Sequence, residues 1–238
     1  VQIVTTADRP GFSSAELSGE WPLFVLKDPV SNRYREAVRE HFPQYDVLVV
    51  DGDEVLAHAV AVALRWDGSP AALPDGGYDG AIVQSVREHE NGVEPDTLCV
   101  LAATVRGDRS GRGLAGVVLT ALRERAVQRG LRRVVVPVRP TTKASHPLTP
   151  MADFAAWTRD DGLHPDPWIR THQRLGATVL GPAERSMVVT GTAAQWERWT
   201  GVRFPRPGRY VVPGGHDVVA FDGDQGVYEE TNLWMRHR

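Results

Sequence analysis

The sequence predicts an α/β fold: a mixed, mostly antiparallel sheet with helices on both faces. Three observations carry this expectation. Residues 98–130 read as strand, glycine-rich turn and helix. Residues 47–50 and 55–64 are two apolar strands joined by Asp51-Gly52-Asp53, a hairpin turn. Beyond residue 46 the elements follow as strand, strand, helix, strand, turn, helix, strand, helix, strand, strand, an alternation that builds a layered α/β core.

Taken in order, residues 1–4 suit a short strand and residues 7–20 a loop, followed by a short apolar piece at 23–26. Residues 32–42 form a helix candidate around Tyr34, Ala37, Val38 and Phe42, ended by Pro43. After the hairpin, 66–77 is rich in Gly and Pro, and 79–90 has helical spacing at Ile82, Val83 and Val86. Residues 98–105 are almost wholly apolar, as in a buried strand, and 133–138 repeat that character. Residues 139–166 are long and irregular, with a helical piece at 151–158; a connection of that length usually serves function. Asp166-Pro167 starts a helix that Gly176 stops. Strands are expected at 178–180 and 186–192 and a short helix at 193–200, with turns and short strands at 210–212 and 218–221 beyond.

At 238 residues the chain can bury a sizeable core. The net charge of −3 gives no reason to expect nucleic acid as a partner. Cys99, the single cysteine, lies inside the apolar strand and reads as core. The eight histidines lack zinc spacing, so no metal is expected. Asp222-Gly223-Asp224 begins like a calcium loop, but the twelfth position would be Leu233, which makes it a turn. No apolar run spans a membrane and no signal-peptide pattern is present, so a cytoplasmic protein is expected.

The chemistry concentrates at residues 105–116. Gly107, Gly111 and Gly113 interrupt the strand, and a helix opens at Leu114. A loop that feeds a helix presents unpaired N–H groups and the positive end of the helix dipole, and small residues let an anion approach them. The expected anion is a phosphate. Gly111-Arg112-Gly113-Leu114-Ala115-Gly116 also fits the dinucleotide fingerprint GxGxxG. That motif needs its first glycine directly after the strand and an acidic residue about 20 positions on. Here residues 106–110 intervene, and strand 134–136 runs into Pro137-Val138-Arg139 without a carboxylate.

The stretch from Val105 to Ala115 resembles the signature V-x-P-x-Y-R-G-x-G-x-G/A of the GNAT superfamily of acyl-CoA-dependent N-acyltransferases. Gly111-x-Gly113-x-Ala115 stands, while Ser110 replaces the usual Arg or Gln and Gly107 a common Pro. The element order of 46–192 is similar to that family's, and His172-Gln173-Arg174-Leu175-Gly176-Ala177 resembles its Y-x-x-x-G-F element. Pro147–Pro150, Trp157-x-Arg159 and Asp166-Pro167-Trp168 resemble a group of actinobacterial GNAT-like proteins whose substrate is unassigned.

The resemblance implies one GNAT-like domain with its core at about 46–192, a strand and helix in 1–45 and an extension at 193–238. It also implies strands 98–105 and 133–138 splayed to admit acetyl-CoA or another acyl-CoA. Ala103 and Val105 would offer strand backbone to the pantetheine. Arg109, Ser110, Gly111, Arg112, Gly113, Leu114 and Ala115 would take the phosphates. His172 occupies the position of the family's tyrosine and is the candidate general acid. The base is open among His58, Glu88, His89, Glu90, His146 and Asp153, or a water chain. Trp66, Trp157 and Trp168 read as core or as acceptor-pocket residues, and residues 139–166 would help shape that pocket.

The expected reaction is transfer of an acyl group, acetyl first, to a small-molecule amine in a ternary complex, by a monomer or homodimer. The missing tyrosine leaves two other readings: a non-catalytic CoA-binding protein, and a CoA-thioester decarboxylase or hydrolase.

Overall fold

A computed structural model describes residues 1–10, 17, 19, 21–109 and 111–237. The chain runs β1 (Gln2–Thr5), α1 (Pro29–His41), β2 (Asp46–Asp51), β3 (Glu54–Leu64), α2 (Gly77–Glu90), β4 (Thr97–Val105) and α3 (Leu114–Gln128). It continues through β5 (Arg133–Val138), α4 (Met151–Ala155), α5 (Pro167–Arg174), β6 (Thr178–Thr192) and α6 (Ala193–Thr200). It closes with β7 (Gly208–Tyr210), β8 (Val219–Asp222) and β9 (Gln225–His237).

The strands form one sheet in the order β1-β2-β3-β4-β5-β9-β8-β7, with β6 also paired to β9. Every pairing is antiparallel except β4 with β5. The mixed, mostly antiparallel α/β fold is as expected. β9 organises its far half. β6 runs along one edge of β9, while β5 and β8 share the other, β5 on Leu233–His237 and β8 on Gln225–Tyr228. Residues 229–232 lie between those two partners.

The helices cover both faces. Trp234 borders a groove against α2, whereas His237 borders a hollow against α3. Side chains three apart on a strand point to opposite faces, so α2 and α3 lie on opposite sides of the sheet. α3 packs Val118, Leu119, Leu122 and Ala126 into the main core, and α2 contributes Ala81, Ile82 and Val86. A second core gathers Phe24, Met187, Trp196, Phe221 and Tyr228 around α6 and β8.

Two expectations about the second half need correction. The strands expected at 178–180 and 186–192 are one strand, β6, whose register breaks between Ala183 and Met187, with Arg185 at φ 49°. The extension at 193–238 was expected outside the core, yet its last strand, β9, sits between β5 and β6. The Asp222–Gln225 stretch is the hairpin turn joining β8 to β9.

The connection at 139–166 is held from within. Asp166 caps α5 through the amides of Trp168 and Ile169, at 2.9 and 3.0 Å. Its other oxygen accepts from the amide and hydroxyl of Thr142, at 2.6 and 2.8 Å. His164 receives the Asp166 amide at 2.9 Å and meets the Phe154 carbonyl at 2.8 Å.

Candidate active site

β4 and β5 pair only at their starts, Thr97–Cys99 against Arg133–Val135. Beyond Cys99 the two strands are no longer paired, as the family resemblance implied. The freed edge of β4 can be assigned residue by residue. The Arg106 N–H donates to the Leu56 carbonyl of β3 at 3.0 Å. Backbone groups alternate between the two edges of a strand, so Thr104 also faces β3 while Ala103 and Val105 turn theirs into the gap.

A β-bulge sits beside this gap. Ala61 pairs with Val100 and Val60 with Ala102, leaving Leu101 without a partner in β3. Bulges re-aim backbone next to functional sites. Leu101 and Ala102 line a cavity of about 140 Å³ that also touches Pro137 and Arg139 at the opposite lip. Its far wall comes from Trp21, Val25, Leu26, Ser31, Arg35 and Tyr78, and its floor from Met187 and Asn232.

At the end of β4 lies the glycine loop. Gly111 and Gly113 take φ 78° and 77°, left-handed values that a side chain strains. Gly113 is the N-cap of α3 and offers no side-chain cap. Among the described residues no acceptor faces the amides of Leu114, Ala115 and Gly116, and a Cβ at Gly111, Gly113 or Gly116 would meet nothing within 4 Å. The loop is therefore open, with its amides turned outward. Arg112 is exposed beside it, and Arg109 lies 3.5 Å from both Glu54 and Asp108. Ser110 lies outside the described residues.

Behind the cavity are two buried polar groups of different kind. On the β5 side, Arg139 donates to both oxygens of Glu230 at 3.0 and 3.1 Å and to the Gly214 carbonyl at 2.8 Å. The Tyr228 hydroxyl donates to Glu230 at 2.5 Å and accepts the His216 amide at 2.9 Å. Burial alone would push the Glu230 carboxyl up; the Arg139 guanidinium overrides it, and the net direction is down. On the helix side, Asp28, the N-cap of α1, meets Asp79 in the first turn of α2. Burial and the neighbouring Asp28 push the Asp79 carboxyl up to about 8. Gly77 permits this packing, because a Cβ there would lie 2.3 Å from the Ser186 hydroxyl, which accepts the Tyr78 amide at 2.8 Å.

The sequence-derived candidates fall in several places. His172 is buried in α5, its Nδ1 2.9 Å from His237 Nε2 and its ring 4.4 Å from that of Trp168. Burial and then His237 push its pKa down to about 3, so the ring is neutral at pH 7. It does not line the cavity. His58 binds Asp46 at 2.6 Å, His89 stacks on His41, His146 packs against Trp157, and Glu88 accepts the Arg65 amide. Asp153 and Glu90 are exposed, and none of these six lines the cavity. Trp66 is core, Trp157 and Trp168 face histidines, and the tryptophan at the cavity is Trp21. Of residues 139–166 only Arg139 reaches the cavity, because the Asp166 network ties the rest to α5.

No family model matches the sequence. A curated relative does: the arginine N-acetyltransferase avaD of Aspergillus versicolor is 30% identical over 254 residues, covering 93% of this chain and 86% of that protein. The chain belongs to the GNAT superfamily of N-acyltransferases. Its fold is similar to the loading GNATL domain of CurA from Lyngbya majuscula, with TM-score 0.54 and 16% identity over 85% of this chain and 81% of that one. It is also similar to the GphF GNAT-like decarboxylase in complex with isobutyryl-CoA, with TM-score 0.55 and 14% identity over 100% and 98% of the two chains.

As a GNAT enzyme the protein is an acyl-CoA-dependent N-acyltransferase, with acyl-CoA as co-substrate and a separate acceptor. Among the described residues no helix is long and apolar enough to cross a membrane. Sequence reading missed Leu101, Tyr78, Asp79, Asn232 and the Arg139–Glu230 pair. The glycines flanking Tyr78 and Asp79, at 76, 77 and 80, are the one signal that could have found the helix side.

Proposed function

We propose that this enzyme acetylates a small-molecule amine by direct transfer from acetyl-CoA, both substrates being bound together. The pantetheine would run along the free edge of β4, against the backbone of Ala103 and Val105. The diphosphate would sit on the amides of Gly111, Gly113, Leu114 and Ala115, with Arg109 and Arg112 beside it. The bulge at Leu101–Ala102 would aim a backbone N–H at the thioester oxygen, where negative charge develops during attack.

The observation that supports this reading most is the position of the cavity. It joins the bulge to a wall made by α1 and α2, so an acceptor held there meets the thioester carbon from the helix side. About 140 Å³ suits an acetyl group and the end of an amine rather than a long acyl chain. The walls suit an acceptor of amino-acid type. Exposed Arg35 stands at the mouth for a carboxylate, and the Asp28–Asp79 pair lies behind Tyr78 for a cation. The relative's arginine makes L-arginine the first acceptor to try. His172, neutral and away from the cavity, is poorly placed to protonate the departing thiolate. A thiol with a pKa near about 8.5 can leave as its anion. We further infer a cytoplasmic enzyme that works as a monomer or homodimer.

Acetyl-CoA with L-arginine and a panel of small amines is expected to release free thiol and add one acetyl group to the amine. Absence of thiol release across the panel, or consumption of malonyl-CoA without an amine, would contradict the proposal.

A further inference from the structure

An amine that attacks a thioester must lose a proton, and the cavity wall offers no ordinary base. Its polar side chains are Trp21, Ser31, Arg35, Tyr78, Arg139 and Asn232. Carboxylates begin one layer back, at Glu230, which Arg139 and Tyr228 already occupy, and at Asp28 and Asp79.

Asp28 and Asp79 lie directly behind two members of the wall, Ser31 and Tyr78. The Tyr78 hydroxyl lies beside that of Ser31, and both Asp28 and Asp79 act on it. Asp28 accepts the Ser31 amide at 2.6 Å through Oδ2. Its Oδ1 and Asp79 Oδ1 are buried and accept no hydrogen bond among the described residues. Asp79 in turn lines the open groove on the outer side of α2, together with Pro29, Gly80 and Arg185. The carboxyl pair thus lies between two spaces, the cavity and an open groove.

We propose that Asp28 and Asp79 are a proton relay that carries the acceptor's proton from the cavity to the groove. The inference rests on acyl transfer taking place in that cavity. In the step, the amine nitrogen bonds to the thioester carbon and the carbon–sulfur bond breaks, its electron pair leaving with sulfur. The surplus N–H proton passes through the Tyr78 and Ser31 hydroxyls to Asp28, while the proton already shared by the pair leaves from Asp79 to water. Neither carboxyl touches a reacting atom; both act through the hydroxyls.

Two buried carboxyls in contact cannot both ionise easily, so one proton stays between them, in keeping with the direction of both shifts. Such a pair titrates as a unit. The groups facing it are Tyr78, Arg35 on α1 and Glu230 on β9, with Arg87 and Arg185 on the groove.

The test is the pH profile of kcat/KM for acetyl-CoA and L-arginine in the wild type, Asp79→Asn and Tyr78→Phe. A doubly protonated pair cannot accept, so wild-type activity falls on the acid side. Burial raises the Asp28 carboxyl and the hydrogen bond from Asp79 lowers it, so exchanging that acid for a weaker amide donor in Asp79→Asn moves the limb to higher pH. The plateau drops at least tenfold, because an amide passes no proton to the groove, while KM for acetyl-CoA stays within about twofold. Tyr78→Phe lowers kcat and leaves the limb where it was.

Loss of folding does not explain the expected loss of rate. A carboxyl whose pKa is raised on folding favours the folded state only at low pH, and that contribution is lost as pH rises towards about 8. Asp79→Asn is therefore expected to melt at pH 7 no lower than the wild type. An Asp79→Asn enzyme with the wild-type profile and rate overturns the relay. If the wild type does not acetylate L-arginine, the acceptor reading fails, and a carboxyl-carbon NMR titration decides the relay separately. Loss of the pair's high-pH step in Asp28→Asn supports the relay; two independent carboxyls titrating near about 4 in the wild type overturn it.

Discussion

Gly113→Glu raises KM for acetyl-CoA at least about 100-fold, a loss of about 2.7 kcal/mol. The reason is local. Gly113 caps α3 at φ 77° with nothing within 4 Å of a Cβ, so the new side chain fits without a clash and stands over the outward amides of Leu114–Gly116. A carboxylate there satisfies those amides itself and repels a diphosphate. The left-handed backbone costs about 1–2 kcal/mol with a side chain present, a penalty that affects stability rather than ligand affinity. Gly92→Glu separates the two effects. Gly92 has φ 67° and equally open surroundings, but precedes β4, at the end away from the loop. It is expected to lower Tm by a similar amount and to leave KM unchanged. Steady-state kinetics and thermal melts of both variants check this.

The largest loss of stability is expected from Glu230→Ala. Glu230 is fully buried and is the only carboxylate that Arg139 is seen to bind among the described residues. Removing one partner of a buried pair leaves the other charge uncompensated, at a cost of about 3–5 kcal/mol. In a chain of this size that lowers Tm by about 10 °C. The variant also frees the Tyr228 hydroxyl and loosens Arg139, which lines the cavity, so activity falls as well. Replacing both residues, as Arg139→Met with Glu230→Leu, is expected to recover part of the stability, because no buried charge remains. The sign of the pH effect follows from the direction of the shift. A carboxyl whose pKa is lowered on folding stabilises above its unfolded value, and that stabilisation is lost as pH falls through the folded value. The gap in Tm between wild type and Glu230→Ala should therefore narrow below about pH 4.

The near half of the fold was legible because its burial is apolar. β2, β3 and β4 bury Val, Leu and Ala almost continuously, and the glycine turn before α3 announces itself by composition. β9 was missed for the opposite reason. Its alternating buried residues are Tyr228, Glu230, Asn232 and Trp234, so the period of two is present but two of its members are polar. A reading that follows hydrophobicity sees Glu229-Glu230-Thr231-Asn232 as surface. Asn232 lines the cavity and Glu230 holds Arg139, which lines it too, so the polar residues that hid the strand also mark the cavity.

The same contrast holds for the site residues. The glycine loop depends on backbone, and glycine spacing reports backbone. The Asp28–Asp79 meeting depends on two helices 51 positions apart packing face to face, which no local spacing records. His172 was drawn from the position of a family tyrosine. In the fold that position is occupied by a buried imidazole pair with His237, a partner contributed by the strand that sequence reading did not see.

The proposed acyl-CoA site rests on main-chain amides at the start of α3 that would hold the diphosphate of coenzyme A. The most direct measurement is an amide-resolved NMR titration with coenzyme A. The amides of Gly111, Gly113, Leu114, Ala115 and Gly116 are expected to shift together and become protected from exchange, with Ala103 and Val105 following along β4. Saturating coenzyme A that leaves the Gly111–Gly116 amides unmoved, or moves another surface instead, would contradict it.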